Sequence, residues 1–576
     1  MSRYEELSRS EVHFAPKGSR GALVGVGVFS ALLNVLALTG SIYMLQVYDR
    51  VIPSHSVPTL IGLSILAATL YAGQFLLDFA RGRVLLRIGR ALDESLSRRV
   101  FTVTARLPLM RKPNCEGLQP LRDLDQVRTF MAGGGPVALF DLPWLPIYLL
   151  TCFFFHPLIG AATLFGAIVL ALVTVLTEAF TRKPMRVAVM HGAARMSLAE
   201  SGRRNAEVLA AMGMTGRVAE RWQEVNQKHL DAHEQAGDVT VGLGGFSKVF
   251  RMGLQSGVLA LGAYLVIHGE ATGGIMFASA MLVARALSPV ELAIANWKGF
   301  VAARQGWRRL RELLSTLPPE GQRLTLRPPA ASLSVEGVVA VPPGEEKIVV
   351  KGVSFQLRSG SALGIVGQSA SGKSSLARTL VGVWSPVRGS IRLDGATLDQ
   401  WSPEELGRHI GYLPQDIELF DGTIGQNIAR FEPDACSDAI IAAAEAAGVH
   451  EMIVRLPDGY DTRIGESGMA LSAGQRQRIG LARALYGNPF LVVLDEPNSN
   501  LDMEGEQALT NAIASVRARG GIVVVVAHRP SALASVDLVL IMNNGEAQAF
   551  GPRDDVLRKA VRPINPVQNQ TAAGAA

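Results

Sequence analysis

The run GQSASGKSS, Gly367 to Ser375, has the spacing G-x-x-x-x-G-K-[ST] of a loop that cradles phosphates. Its glycines let successive backbone N–H groups curl round phosphate oxygens. Gly367, Gln368, Ser369, Ala370, Ser371, Gly372, Lys373, Ser374 and Ser375 are therefore candidate ATP contacts. Lys373 is expected to reach the β and γ phosphates, and Ser374 to ligate Mg²⁺. A second run, FLVVLDEP, ends an apolar stretch in the adjacent carboxylates Asp495 and Glu496. Asp495 would hold Mg²⁺ through water, and Glu496 would polarise the water that attacks the terminal phosphate.

Such groups work only if regular elements present them together. The apolar SALGIV before the phosphate loop reads as a strand, and a helix is expected to start near Lys373 with its positive end toward the phosphates. Beyond a Pro-rich polar linker, 313–331, short apolar strands alternate with helical patterns. This predicts an α/β P-loop domain over 332–563, followed by a polar tail, 564–576, with no assigned role.

Other motifs follow in a fixed order. LSAGQRQR spans Leu471 to Arg478, YLPQD supplies Gln415, and TRIGESG runs from Thr462 to Gly468. NSNLD ends at Asp502, and VVVVAHRP supplies His528. Together these resemble the ATP-binding-cassette family, whose signature is usually LSGGQ; here Ala473 replaces the first glycine. The resemblance implies ATP and Mg²⁺ as cofactors. It makes Gln415 a metal and water contact, and His528 a switch that assists Glu496. It sets Ser472, Gly474 and Gln475 against the nucleotide held by a second cassette, so the working unit is expected to be a homodimer. One departure is VEGVVAVPPGEEK, Val335 to Lys347, which lacks the aromatic residue that stacks on adenine in many cassettes.

The first half has a different character. Of 576 residues, 48% are apolar and 18% charged, but Gly21–Val47, Val51–Leu77 and Leu142–Thr177 contain no Lys, Arg, Asp or Glu. About 20 apolar residues cross a bilayer. The first two stretches are expected to be spans joined at the short YDR turn near Pro53, and the third to be two spans broken at His156-Pro157. Met252–Gly269 and the stretch from Ala271 complete six. The last is interrupted by Arg285, Glu291 and Lys298, so it either continues or gives way to a cytoplasmic helix. Eleven Lys or Arg lie between Arg81 and Arg128, and another basic stretch runs from Arg182 to Lys248. By the positive-inside rule both segments, and the N-terminus, face the cytoplasm. The net charge of +6 is thus a topology signal, and no nucleic-acid partner is expected. The polar first residues, 1–20, do not read as a cleavable signal. The three cysteines show no metal-ligand spacing.

YMLQVYDRVIPS, FDLPWLPIYL, NAEVLAAMGM and DEPNSNLD resemble type I secretion transporters, in particular the permease/ATPases that export proteases and surface-layer proteins. The resemblance covers about residues 20–560. It implies a six-span α-helical transmembrane domain (21–312, the type I exporter fold) followed by the cassette. It implies a multi-pass protein in the bacterial inner membrane with its ATPase in the cytoplasm. It implies, besides membrane lipid, three kinds of partner: a periplasmic membrane-fusion protein, an outer-membrane channel and an unfolded polypeptide with a C-terminal signal. Asn205–Met214 and Pro120–Phe130 are either helices that couple to the cassette or ordinary amphipathic helices. Asp141 either binds a partner helix or marks an interface. Arg285, Glu291 and Lys298 either line a translocation path or form salt bridges. A lipid or small-molecule exporter is the alternative function, and a soluble regulatory ATPase conflicts with the uncharged runs.

Overall fold

The computed structural model describes residues 19–110, 117–316, 326–465, 471–527 and 533–560. It divides into two compact units, one of residues 1–108 and 113–319, the other essentially 320–576.

The described residues of the first unit form helices joined by short turns. Helices α1 (Ser19–Leu36) and α2 (Thr39–Gln46) run through a π-helical turn, Val47–Val51, into Ile52–Ser54. There follow α3 (Val57–Arg106), α4 (Gln119–Ala132), α5 (Gly134–Asp141), α6 (Leu145–Phe155), α7 (Pro157–Arg204), α8 (Ala206–Ala211), α9 (Thr215–Ile267) and α10 (Gly273–Thr316). Among the described residues, six stretches are long and apolar enough to cross a membrane: Gly21–Ser54, Val57–Leu109, Gly134–Phe155, Pro157–Arg204, Thr215–Ile267 and Gly273–Ser315. At 1.5 Å per residue α3 is about 75 Å long, far more than the ~30 Å hydrocarbon core. Its basic second half therefore projects beyond the bilayer.

The first turn differs from the sequence expectation. Tyr48–Arg50 stay helical, and the reversal falls at His55, with φ of 51°, and Ser56. Pro53 follows the π-helical turn Val47–Val51, and the helix ends one residue beyond it, at Ser54. Ser56 caps α3, its hydroxyl accepting from the Thr59 N–H. The break at His156 is as expected: the residue is extended, φ −166° and ψ 139°, and Pro157 opens the next helix. Helix α10 runs without interruption through Arg285 and Pro289 to Thr316. The interruption by charge is local, because Glu291 pairs with Arg251 of α9.

Two apolar clusters hold this unit together. Leu85, Leu92, Val100 and Val127 pack with Leu310 and Leu314, and Tyr148, Ile159 and Leu170 pack with Val258, Leu282 and Leu287. Many other apolar side chains point outward, among them Phe75, Phe154 and Val241. Exposed apolar surface on this scale suits lipid or another protein.

The second unit contains two sheets. Strands β1 (Ser332–Ala340), β2 (Val350–Arg358), β4 (Arg388–Leu393) and β5 (Ala396–Thr397) form an antiparallel sheet in the order β2-β1-β4-β5. The other sheet joins β3 (Ala362–Gly367), β6 (Ile410–Leu413), β7 (Leu491–Asp495), β8 (Ile522–Val526), β9 (Leu538–Asn543) and β10 (Glu546–Pro552). Their order is β10-β9-β3-β8-β7-β6, parallel except for β10. Strands β7 and β8 are buried along their whole length, as continuous Val/Leu/Ile runs in a covered parallel sheet must be. Helices α11 (Lys373–Leu380), α12 (Ala473–Leu485) and α13 (Met503–Ala518) carry the remaining motifs.

Candidate functional site

The parallel sheet brings the sequence-predicted groups to one edge. Ile365 of β3 and Asp495 of β7 both pair with Val526 of the intervening β8. Leu413 of β6 pairs with Leu494. The loops that leave these strands therefore emerge side by side at their carboxyl ends, the usual ligand crevice of an open α/β sheet. Gly367–Ser375, Asp495, Glu496 and Gln415 lie on that edge. His528, two residues past β8, lies outside the described residues, as do Glu466 to Gly468 of the TRIGESG run.

Glycine is required at both ends of the phosphate loop. A Cβ on Gly367 would sit 2.2 Å from the Met542 carbonyl oxygen. Gly372 has φ of 93°, and its Cβ would lie 2.5 Å from the Val349 carbonyl oxygen. Ala370 takes φ of 63°, a strained value for a side-chain-bearing residue. The loop delivers Lys373 to the first turn of α11, where its Nζ donates to the carbonyls of Gly367, at 3.0 Å, and Gln368, at 2.8 Å. Burial lowers the Lys373 pKa, while the carboxylates of Glu496 and Asp495 pull it upward. A buried cation ringed by acceptors is a site prepared for negative charge.

Ser374 Oγ donates to Asp495 Oδ1 at 3.1 Å. Asp495 is 1% exposed, and its second oxygen, Oδ2, has no hydrogen-bond partner among the described residues. Ser371 Oγ, inside the loop, is likewise buried and unpartnered. Buried polar atoms are nearly always satisfied, so two orphans beside one phosphate loop fit a polar ligand. A hydroxyl next to a carboxylate is the hard-oxygen donor pair that Mg²⁺ takes. Burial raises the Asp495 pKa; the Ser374 bond opposes the rise and Glu496 adds to it.

Glu496 holds φ of 53°, the left-handed region, and its N–H donates to the Val526 carbonyl at 3.1 Å. A strained backbone at the tip of a strand turns this carboxylate away from the direction of Asp495. Its Oε2 accepts from Gln415 Nε2 at 3.2 Å. The pair is exposed or half-buried, open to water.

The signature residues stand apart from this cluster. Ser472 caps α12: its hydroxyl accepts from the Gln475 N–H at 3.2 Å, and Gln475 Oε1 accepts from the Ser472 N–H at 2.9 Å. Gly474 lies against the Asn500 carbonyl, 2.9 Å from where a Cβ would be. No hydrogen bond among the described residues ties Ser472, Gly474 or Gln475 to the phosphate loop.

Sequence reasoning passed over Gln477. Its buried amide donates to the Pro497 carbonyl and accepts from the Asn500 N–H at 3.0 Å, tying α12 to the segment just past Glu496. The only sequence signal was a second glutamine within LSAGQRQR. Asp502 caps α13 through the Gly505 N–H at 2.8 Å and pairs with Arg478; the Gly505 bond first, then Arg478, hold its pKa below the usual carboxylate value.

In the helical unit, Pro120–Phe130 forms most of α4, with Pro120, Leu124 and Val127 buried. Asp123 is 1% exposed and takes Arg309 in a two-pronged pair, at 2.6 and 2.8 Å. Asn205–Met214 is an exposed turn around the short α8. Asp141 joins a polar network between helices. Arg81 Nη1 donates to Asp141 Oδ1 at 3.2 Å and to Ser30 Oγ at 3.0 Å, and Asn34 Nδ2 donates to Asp141 Oδ1 at 2.9 Å. The Tyr148 hydroxyl donates to the Asn34 carbonyl at 2.8 Å. Of the three charges on α10, Glu291 pairs with Arg251, Lys298 is exposed, and Arg285 lines a cavity beside this network.

Comparison with known proteins agrees with both units. A family profile described as ABC transporter matches residues 350–499, and one for the ABC transporter transmembrane region matches residues 23–290. The chain is 58% identical to the type I secretion system ATP-binding protein PrsD of Rhizobium meliloti (strain 1021), over 97% of this chain and 96% of the relative. It is 28% identical to the cyclolysin secretion/processing ATP-binding protein CyaB of Bordetella pertussis, over 93% of this chain and 76% of that protein. Among solved structures, a bacterial Atm1-family ABC exporter with ATP bound aligns with a TM-score of 0.80 at 24% identity, covering 97% of this chain and 99% of that chain. The last likeness is one of fold.

Proposed function

The chain belongs to the ABC transporter family, beside the ATP-binding proteins of type I secretion, and from that premise we propose that it exports an unfolded polypeptide from the bacterial cytoplasm as a homodimer. It is a multi-pass membrane protein and an ATPase coupled to transport. The observation that carries the polypeptide reading is the 58% identity to a type I secretion ATP-binding protein along nearly the whole of both chains. The inner membrane is the expected location, with a membrane-fusion protein and an outer-membrane channel as the expected partners.

Each residue then has a task. Backbone N–H groups of Gly367–Ser375 and the first turn of α11 hold the phosphates of ATP. Lys373 leaves its loop carbonyls for the β and γ phosphates. Ser374 and Asp495 would hold Mg²⁺, which neutralises charge on the β and γ oxygens when bound. Glu496 accepts a proton from the attacking water, oriented by Gln415 and assisted by His528. Ser472, Gly474 and Gln475 face the γ phosphate held by the second chain, which accounts for their separation from this chain's own loop. Closing of the paired cassettes on ATP, and their reopening after hydrolysis, drives the spans.

The test is the ATPase rate of the reconstituted chain with and without C-terminal fragments of proteins secreted by the same cell. Stimulation by one such fragment, and not by its N-terminal counterpart, is the expected result. A response only to lipids or small molecules would retain the exporter and remove the polypeptide.

A further inference from the structure

The first span, Gly21–Ser54, is jointed twice. At Leu38 the helical ladder slips: the Leu38 N–H bonds the Val35 carbonyl at 3.1 Å, while the Asn34 carbonyl four residues back accepts from the Tyr148 hydroxyl. The second joint is the π-helical turn Val47–Val51, after which the Ile52 N–H reaches the Val47 carbonyl five residues back. Insertions of this kind bend helices and gather at functional sites. Between the joints α2 lies along α10. A Cβ on Gly40 would sit 3.1 Å from the Met281 methyl, and the Tyr48 ring stacks on Phe277 with centroids 4.3 Å apart. Asp49 ends this row. Its Oδ1 accepts from the Gly274 N–H at 2.8 Å, and its Oδ2 from the Thr272 hydroxyl at 2.7 Å. Only glycine admits the carboxylate here, since a Cβ on Gly274 would lie 2.6 Å from Oδ1. By the positive-inside rule this end of the span faces away from the cytoplasm.

We infer that Asp49 is a latch: it holds α2 and its π turn against α10 while the outer end is closed, and it lets go when ATP drives the spans to open outward. The cap it supplies is surplus to α10. The Thr272 hydroxyl already accepts from the Ile275 N–H at 3.3 Å, at the start of that helix. Asp49 comes instead from another helix, and from a part of it bounded by joints. Gly273 and Gly274 open α10, where alanine would make the better helix; the approach of Asp49 accounts for Gly274. A carboxylate at a helix N-terminus is stabilising in itself, so the latch closes without help from cargo. Asp49 and Thr272 are exposed, so water takes over their hydrogen bonds on release and the clasp is reversible at small cost. The inference rests on the coupling of ATP to the spans proposed above, and not on the kind of cargo.

The experiment uses the full chain in liposomes, with Cys115, Cys152 and Cys436 replaced by Ala and the pair Asp49→Cys/Gly274→Cys introduced. Disulfide formation on mild oxidation then reports the closed latch. Its rate should fall about fivefold or more when Glu496→Gln is added and the chain is held with Mg²⁺ and ATP, because the closed population shrinks. Without Glu496→Gln, the oxidised pair should hydrolyse ATP at about one tenth of the reduced rate or less, and dithiothreitol should restore it. Gly274→Ala in the otherwise natural chain displaces the carboxylate and leaves every charge in place. It should lower the ATP concentration for half-maximal hydrolysis about fivefold, the scale of one exposed hydrogen bond, because ATP no longer works against the clasp. Disulfide formation at one rate with and without ATP, together with full turnover by the oxidised pair, overturns the latch and leaves the proposed function standing. Gly274→Ala with a lower unfolding midpoint and an unchanged ATP dependence marks a structural cap and also overturns it. If the wild-type chain hydrolyses no ATP, the function proposed above fails, and the latch with it.

Discussion

At the scale of single residues, the site separates two acids that are neighbours in sequence. Asp495 ends its strand buried beside Ser374, while the left-handed backbone of Glu496 sends the second carboxylate toward Gln415 and water. Glu496→Gln should keep ATP binding and lower the ATPase rate by about 10²- to 10⁴-fold, the usual worth of a general base. A wild-type turnover rate in that variant would remove Glu496 from the chemistry. Asp495 gives a pH signature. Its folded-state pKa is raised by burial, so the protonated form is favoured: its stabilising contribution is full below the unfolded pKa and is lost as pH rises through the folded one. Mg²⁺ requires the ionised form, so protons compete with it. The Mg²⁺ concentration for half-maximal nucleotide binding should rise as pH falls through that raised pKa, by up to about tenfold per unit for one proton. Calorimetric titration at a series of pH values checks this, and Asp495→Asn should bind Mg²⁺ weakly with no such slope. The identities of these residues were legible in the motifs. The unpartnered Asp495 Oδ2 and the strained Glu496 backbone were not, because burial and dihedral angles follow from the strands around them.

At the scale of elements, Gln477 does what no motif pattern announces. It satisfies a carbonyl and an N–H of the Pro497–Asn500 segment from inside α12. Gln477→Ala leaves the buried Pro497 carbonyl without its partner, at a cost of about 1–3 kcal/mol, and frees the N–H of the exposed Asn500. Thermal unfolding of the purified chain should show a lower cassette midpoint, and hydrogen exchange should speed up at Asn500. Unchanged exchange there would show that water replaces the amide without loss. Gly372→Ala tests the phosphate loop. With φ of 93° and the Val349 carbonyl 2.5 Å from the new Cβ, the loop must distort, and ATP affinity measured with a fluorescent nucleotide should fall at least tenfold. Helix type and rough extent were readable from charge-free runs, since only a helix satisfies its own backbone in lipid. The turn between the first two spans was not placed correctly from YDR and Pro53. The helix runs on through the π-helical turn Val47–Val51 past Tyr48–Arg50 to Ser54, and the reversal falls at His55 in the left-handed region.

At the scale of the whole molecule, the chain holds one candidate phosphate site and one signature, with no hydrogen bond between them among the described residues. Two chains related by a two-fold axis would give two composite sites. Co-expressed wild-type and Glu496→Gln chains carrying different tags should co-purify, and the ATPase rate of the mixed dimer should fall well below the share of wild-type chain present. Activity proportional to that share would mean that each chain hydrolyses ATP alone.

The sequence by itself determined the two-part organisation, the six apolar spans and the candidate nucleotide-binding residues. Charge-free runs and glycine-punctuated phosphate loops are local patterns, with causes that act over a few neighbouring residues. Tertiary structure decided the rest. Parallel pairing through β8 set Ile365 and Asp495 level across residues 130 positions apart in sequence. Packing of α1, α3, α5 and α6 around Arg81 joined polar groups scattered along the sequence into one network, with Arg285 of α10 on the cavity beside it. Such juxtapositions depend on strand register and helix rotation, and those are fixed by the burial of side chains distant in sequence.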